Sequence, residues 1–373
     1  GPVDTGTAAL PFARTFAGKR AGDWYSPVTA ALASVALLGL GTLLFGYERL
    51  PLLILLALLC WLQPALRRPG LFALLLVTAL YAPMLGVYGL FDPWEPHYGE
   101  VAREILARDD WLSLWWAQDR WFWSKPVLLF WMEAWTMGAL GVDYTPDAQP
   151  LHPEWALRLP VLILSLSTLA VLYATLKARF SARAGALGVL VIATMPLFFF
   201  ASHQAITDLP LVAFSSIALC CLCLASDEDP ERKAPSYEVG PLKLSFQHLV
   251  ALAIFLVILP QALYLFSRNL ALFDGFRFAL QQDVFLYGSA GNVDVPGNPA
   301  PRDQSAWVPG LLGQPFLQGT LWLCLLAGLA RLLKRESRMQ RLLMLVFYLA
   351  CGLAFLSKGL LGIAVPGAVA LLY

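Results

Sequence analysis

The stretch LPVLILSLSTLAVLYATLK at residues 159–177 decides the fold, because it has no charged side chain before Lys177. A helix needs about twenty apolar residues to cross the hydrocarbon core of a bilayer, so this stretch predicts a membrane-spanning helix. Comparable runs recur along the chain and indicate an all-α, polytopic bundle of transmembrane helices. We predict spans at 27–45, 50–66, 71–90, 159–177, 184–201, 208–225, 247–266, 313–333 and 340–356, and a tenth from about residue 360 that is incomplete at Tyr373.

The composition agrees with these spans. Of 373 residues, 58% are hydrophobic and 14% are charged, whereas soluble domains average about 45–50% and about 25%. These values exclude a cytosolic enzyme, a disulfide-stapled secreted domain and a disordered chain. The net charge of +1 gives no indication of nucleic acid as a partner. All the cysteines fall in apolar runs, where packing explains them better than a metal or a disulfide.

Clusters of Lys and Arg set the predicted orientation, because cytoplasmic loops carry an excess of these residues. Five clusters share the cytoplasmic face only if the segment 126–142 does not cross the membrane. We interpret this segment as a helix lying in the outer interface, since it is short and carries Glu133 and two tryptophans. The alternative, a true span, would invert everything after it. The clusters are Lys19–Arg20, Arg67–Arg68, Lys177/Arg179/Arg183, Arg232–Lys233 and Arg331/Lys334/Arg335/Arg338/Arg341.

This topology predicts the organisation of the chain. A membrane core at 71–225 has its outer loop at 91–158, and a truncated continuation follows at 340–373. The other predicted parts are a cytoplasmic segment (1–26), a transmembrane pair (27–66), a cytoplasmic linker (226–246) and a hairpin (247–333) with an outer loop at 267–312.

Four polar motifs lie on the outer face in this topology. They are DPWEPHYGE at 92–100, SKP at 124–126, TDLP at 207–210 and SKG at 357–359. Charged groups at membrane depth are functional candidates by default. The plainer alternatives are helix capping for the acids and a lysine that extends to the lipid headgroups.

Acids beside lysines suit group transfer from a phosphate-linked donor. A carboxylate can take the proton of the acceptor, and ammonium groups can neutralise the departing phosphate. The sequence lacks GxxxxGK[ST], HExxH and GxSxG. Nucleotide hydrolysis, zinc proteolysis and serine-hydrolase chemistry therefore lack their residues.

Six elements in order carry a family resemblance: DPWEPHYGEVAREIL (92–106), DW (110–111), SKPVLLFW (124–131), EWALRLP (154–160), HQAITDLPLVAF (203–214) and LSKGLLGIAVP (356–366). The chain resembles the GT-C class of polyprenyl-phosphate-sugar-dependent glycosyltransferases, which includes the bacterial aminoarabinose transferases of lipid A and the protein O-mannosyltransferases. The resemblance implies an inverting transferase in a bacterial inner membrane, with its site facing the periplasm. It also implies that 71–225 is the catalytic membrane core, that the pair at 27–66 is extra, and that the hairpin at 247–333 is inserted.

The resemblance also implies roles for single residues. Asp92, Glu95 and Asp208 correspond to the family's acidic positions, while Lys125 and Lys358 correspond to donor-phosphate contacts. Tyr98, His97 and His203 fall within the matching motifs as candidate substrate contacts. Asp92 stands two residues before the family's usual position, so the base is Asp92 or Glu95, and we favour Asp92. Ser124 replaces a common Glu, and His203 replaces a common Arg.

The expected partners are a polyprenyl-phosphate sugar, the bilayer, and a lipid, glycan or protein acceptor. No cofactor is expected for certain, and a divalent metal beside Asp92, Glu95 and Asp208 stays open. Two other functions remain as alternatives: a non-catalytic lipid-phosphate carrier or transporter, and a structural membrane subunit. The identity of the sugar and the class of acceptor do not follow from the sequence.

Overall fold

A computed structural model describes residues 27–45, 49–62, 65, 68–108, 110–111, 114–116, 120–122, 124–142, 153–239, 242–269 and 314–372. The described chain is almost entirely helical, which confirms the predicted all-α class. Its strands form two short antiparallel hairpins, β1 (Trp115–Trp116) with β2 (Arg120–Trp121) and β3 (Ser236–Val239) with β4 (Leu242–Ser245). The predicted N-terminal segment 1–26 and most of the loop predicted at 267–312 lie outside the described residues.

The helices follow the apolar runs. They are α1 (Pro27–Val35), α2 (Gly41–Phe45), α3 (Leu50–Cys60), α4 (Pro69–Tyr81), α5 (Trp94–Arg108), α6 (Leu128–Leu140), α7 (Pro153–Arg179), α8 (Ala182–Thr194), α9 (Pro196–Ala201), α10 (Asp208–Ser226), α11 (Phe246–Asn269), α12 (Gln314–Arg335), α13 (Met339–Lys358) and α14 (Leu361–Leu372). A π-helical turn (Ala36–Leu40) joins α1 to α2, and a 3₁₀ turn (Ala82–Gly86) extends α4.

Six helices of the described chain are long and apolar enough to cross a membrane: Pro69–Gly86, Glu154–Arg179, Asp208–Ser226, Phe246–Phe266, Phe316–Arg335 and Met339–Lys358. The protein is therefore a multi-pass membrane protein. The other four predicted spans contain shorter helices. The span predicted at 184–201 is broken because Met195, which precedes Pro196, has extended backbone (φ −66°, ψ 128°), and a proline disfavours helical backbone in the residue before it.

The segment predicted to lie in the interface forms α6. Its 13 residues correspond to about 20 Å of helix, which is short of the roughly 30 Å hydrocarbon core. The helix ends at Gly141, whose φ of 65° gives the left-handed conformation that closes many helices. The absence of α6 from the helices long enough to span agrees with the interfacial interpretation, which stays a prediction.

We call α5, the β1–β2 hairpin and α6 together the loop layer. One hydrophobic cluster holds it on the bundle and includes Tyr98 and Ile105 of α5, Phe130 of α6, Val161 of α7 and Leu209 of α10. The chain between α5 and β1 also contacts α11, because the backbone N–H of Trp111 donates to the Tyr264 hydroxyl at 2.8 Å.

Three long helices run between the loop layer and the opposite end of the bundle. Helices α7 and α10 begin beside the loop layer, whereas α13 ends there. At the opposite end, Arg179 pairs with Asp227 and Lys233 forms a backbone bridge to Arg338. Three of the predicted cytoplasmic clusters, those containing Arg179, Lys233 and Arg338, thus have members at the end away from the loop layer, which we call the basic end.

Helix α14 packs closely on α13 through one small residue. A Cβ atom on Gly362 would lie 2.2 Å from the backbone carbonyl carbon of Ala354. No side chain larger than hydrogen fits without moving one of the two helices. This contact fixes α14 beside the end of α13 that carries Lys358.

Candidate functional site

A buried ion pair organises the loop-layer end. Arg158 on α7 and Glu95 on α5 are both fully buried. Arg158 Nε donates to Glu95 Oε1 at 2.8 Å, and Nη2 donates to Oε2 at 2.6 Å. The remaining N–H groups of Arg158 donate to the carbonyl oxygens of Leu85, Tyr88 and Gly89 at 2.7–2.9 Å. All five guanidinium donors are therefore satisfied.

Glu95 also ties two of the polar motifs together. Its Oε2 accepts from the backbone N–H of Phe91 at 2.6 Å, and its Oε1 accepts from that of Ala205 at 2.7 Å. Phe91 precedes Asp92, and Ala205 lies in the turn before Asp208. The carboxylate thus connects the first acidic motif to the third motif, with every oxygen engaged.

A second ion pair connects the third motif to the fourth. Lys358 Nζ, at the end of α13, pairs with Asp208 Oδ1, at the start of α10. The side chains stay 30% and 52% exposed, respectively. This pair joins residues 150 positions apart in the sequence, and it leaves both groups open to a ligand. An anion at this position would meet the ammonium group, and the N-terminus of α10 favours negative charge.

The other two predicted charges flank helices of the loop layer. Asp92 is exposed beside the first turn of α5. Lys125 is half-buried just before α6, a helix of the loop layer. Neither has a hydrogen bond or ion pair to another described side chain, so the roles of Asp92 and Lys125 rest on their position.

Two aromatic side chains of α5 line the loop layer next to Glu95. Tyr98 is buried against Phe130, with ring centroids 5.5 Å apart. Burial, and then the charges of Asp208 and Glu133, raise the pKa of Tyr98 to about 12. His97 packs against Trp116 at 4.9 Å, and burial lowers its pKa. The Nε2 atom of His97 is buried with no hydrogen-bond partner among the described residues.

His203 has contacts typical of a packed core residue. It is 1% exposed, and its Nδ1 lies 2.7 Å from the carbonyl oxygen of Phe199. Its ring packs against Tyr81 and Phe199, with centroids 4.7 and 4.4 Å away. These contacts account for the residue without a ligand, and contact with a substrate stays a prediction.

The predicted acids do not form a metal site in this arrangement. Across the described ranges, no three His, Cys, Asp or Glu side chains are placed to hold a metal ion. The carboxylate of Glu95 is committed to Arg158 and two backbone N–H groups, and Asp208 is paired with Lys358. The arrangement of Glu95 and Asp208 therefore does not fit a metal ion.

Sequence reasoning did not single out Arg158, although it lies within the matching stretch 154–160. The sequence did contain a signal for a buried ion pair, because an arginine beside the apolar run 159–177 has a high desolvation cost and needs an anionic partner. It gave no means of identifying Glu95, 63 residues earlier, as that partner.

The comparisons with known proteins agree with the predicted resemblance. Residues 151–268 match the family model described as dolichyl-phosphate-mannose-protein mannosyltransferase. No curated protein sequence matches the chain. The solved structures include ArnT from Cupriavidus metallidurans in the apo state, which is 23% identical over 42% of this chain and 28% of that chain, with a TM-score of 0.35.

A second solved structure is ArnT from Cupriavidus metallidurans bound to undecaprenyl phosphate. It is 18% identical, with a TM-score of 0.38, over 80% of this chain and 58% of that chain. The chain thus spans about a quarter to somewhat over half the length of these two structures. The family-model match covers α7, α10 and most of α11, together with Arg158, His203 and Asp208 of the site. It confirms the predicted resemblance to the polyprenyl-phosphate-sugar-dependent glycosyltransferases.

Proposed function

We propose that this chain acts as an inverting membrane glycosyltransferase that takes its sugar from a polyprenyl phosphate. One observation carries the proposal. Contacts link three motifs distant in sequence, because Glu95 accepts from Ala205 and Asp208 pairs with Lys358. The match of residues 151–268 to a dolichyl-phosphate-mannose-dependent family supports the class of donor.

In the proposed reaction, the acceptor hydroxyl oxygen attacks the anomeric carbon as the bond from that carbon to the phosphate oxygen breaks. Asp92 takes the proton of the hydroxyl, and the polyprenyl phosphate leaves with the bonding electron pair. Lys125 and Lys358 stabilise the negative charge on the phosphate. Attack opposite the leaving group inverts the anomeric centre.

Glu95 acts in this proposal as a positioning residue. Its hydrogen bond from Phe91 fixes the backbone next to Asp92, and its bond from Ala205 fixes the turn before Asp208. Arg158 neutralises its charge. Asp208 in turn holds the ammonium group of Lys358 at the mouth of the site.

The experiment is turnover of a labelled polyprenyl-phosphate sugar by purified full-length protein. We expect Asp92→Asn to lower turnover by about 10²–10⁴-fold, the usual contribution of a general base. Glu231→Gln is the matched control, because the Glu231 side chain is 84% exposed at the basic end, and it should leave turnover unchanged. Normal turnover by Asp92→Asn would show that Asp92 is not the base.

A lipid-phosphate carrier is the second candidate, since it also needs lysines at the mouth of the site. A carrier would bind the donor without breaking its sugar–phosphate bond. The same assay separates the two functions, because release of unglycosylated polyprenyl phosphate occurs only with the transferase.

We also propose that the loop-layer end faces the periplasm of a bacterial inner membrane. Support comes from members of three basic clusters at the opposite end, as positive-inside statistics expect. A membrane-impermeant thiol reagent applied from outside should label Lys125→Cys and leave Glu231→Cys unlabelled. The reverse pattern would show that the orientation is wrong.

A further inference from the structure

Glu133 is a buried acid that the proposed reaction does not use. It lies on α6 with 0% of its surface exposed, and neither carboxyl oxygen has a hydrogen-bond partner among the described residues. Among the residues that the structure describes, the only other buried side-chain atoms without a hydrogen-bond partner are His97 Nε2 and Trp116 Nε1. All three residues belong to the loop layer.

An unpartnered buried carboxyl has a cost in stability. Burial, and then the charge of Glu95, raise the pKa of Glu133 well above its ordinary value. Burial thus favours the un-ionised acid, which has one O–H donor and a carbonyl acceptor. Even an un-ionised polar group loses its hydrogen bonds to water on burial, so an apolar side chain would suit the same place better.

The surroundings of Glu133 connect it to the proposed site. Helix α6 packs against α5 and α7 and touches α13, the helix that ends in Lys358. The charges of Glu133 and Asp208 both act on the Tyr98 hydroxyl. Glu95 is the charged group that acts on Glu133. Arg158 of α7 is paired with Glu95, and Lys358 at the end of α13 is paired with Asp208 of α10.

We propose that the buried carboxylic acid of Glu133 hydrogen-bonds a hydroxyl of the glycosyl group of the lipid-linked donor. This inference rests on the proposed function and assigns a residue to the sugar end of its substrate. A group that can both donate and accept suits a hydroxyl, which does the same. The phosphate suits the lysines instead, because an ammonium group offers it only hydrogen-bond donors and a positive charge.

The test compares binding of undecaprenyl phosphate with binding of its mannosyl, glucosyl and aminoarabinosyl forms, without acceptor. Wild-type protein should bind the glycosylated form that it turns over more tightly than the bare lipid phosphate. Glu133→Leu should bind the bare lipid phosphate as wild type does. It should bind that glycosylated form about tenfold more weakly, as expected for the loss of one buried hydrogen bond. Glu133→Gln, which keeps a donor and an acceptor, should retain most of the preference.

Stability and pH supply independent readouts. In the absence of ligand, Glu133→Leu should unfold at a higher temperature than wild type, because it removes an unpartnered polar group. Turnover by wild type should fall as rising pH ionises Glu133, and Glu133→Gln should lack this loss. A residue with a purely structural role would change the unfolding temperature and leave the preference for the glycosylated lipid unchanged.

Several outcomes would overturn the inference. Unchanged preference for the glycosylated form in Glu133→Leu would mean that the acid contacts only water or protein. An effect confined to the KM of the acceptor would assign the hydroxyl to the acceptor and not to the donor. An equal loss of affinity for the glycosylated form in Glu133→Gln and Glu133→Leu would contradict a hydrogen bond donated by Glu133, because glutamine keeps an N–H donor at this position. If wild-type protein neither prefers nor turns over any glycosylated form, the proposed function fails first.

Discussion

Replacing Glu95 by alanine tests the buried ion pair that organises the site. The substitution removes four hydrogen bonds, two from Arg158 and one each from the N–H groups of Phe91 and Ala205. Arg158 keeps its three carbonyl partners, but its positive charge stays fully buried without an anion. Removing one member of a buried pair costs about 3–5 kcal/mol, because the remaining charge is uncompensated. We expect Glu95→Ala to lose at least about 3 kcal/mol of stability, which exceeds a hundredfold in the folding equilibrium.

The assay is unfolding of the purified protein in detergent, by heat and by denaturant. Glu100→Ala is the control, since Glu100 pairs with Arg103 at a partly exposed position of the same helix and should cost about 1 kcal/mol or less. The double variant Glu95→Leu/Arg158→Met should recover much of the loss, because it leaves no buried charge. Stability of Glu95→Ala within about 0.5 kcal/mol of wild type would refute the reasoning, since surface substitutions already vary by that amount.

Three further predictions concern the loop layer and the helix packing. Burial raises the pKa of Glu133 in the folded state, so ionisation of this carboxyl favours unfolding. This penalty is absent below the unfolded pKa of about 4.3 and grows as pH rises from there to the folded value, so the unfolding temperature of wild type should fall with rising pH relative to that of Glu133→Gln. Gly362→Ala should cost about 1–3 kcal/mol by forcing α14 off the Ala354 backbone, whereas Gly352→Ala, where a Cβ meets open space, should be neutral or stabilising in the same unfolding assay. Tyr264→Phe should cost about 1–2 kcal/mol by leaving the N–H of Trp111 without this acceptor, and faster amide exchange at Trp111 would report it.

The sequence predicted the helical class and the polar motifs because both depend on local patterns. Long uncharged runs identify membrane helices, and charges beside them stand out against the apolar background. The ends of helices were harder to predict. The span expected at 184–201 is interrupted at Met195 by the proline that follows it. Hydropathy does not detect this interruption, because it averages over the apolar residues on both sides of the proline.

The contacts between motifs depend on the fold and could not be read from spacing. Nothing in the sequence pairs Asp208 with Lys358 or Glu95 with Arg158. Glu95 and Asp92 are three residues apart, yet one is fully buried and the other is exposed. Glu95 is buried because α5 packs against α7 and against the turn at Ala205, whereas Asp92 lies outside this packing. This difference in burial distinguishes the proposed positioning acid from the proposed base, and it depends on the fold.

The proposed function requires the acids and lysines at the loop-layer end to bind a lipid phosphate. Binding of undecaprenyl phosphate to the purified protein, compared with undecaprenol, measures this most directly. We predict clear preference for the phosphate, and about a 10–100-fold loss in Lys358→Met and in Lys125→Met, as expected for a charge-assisted hydrogen bond. Lys177→Met, at the basic end, should bind as wild type does. Equal binding of undecaprenol and undecaprenyl phosphate, or undiminished binding by both Lys358→Met and Lys125→Met, would contradict the proposed function.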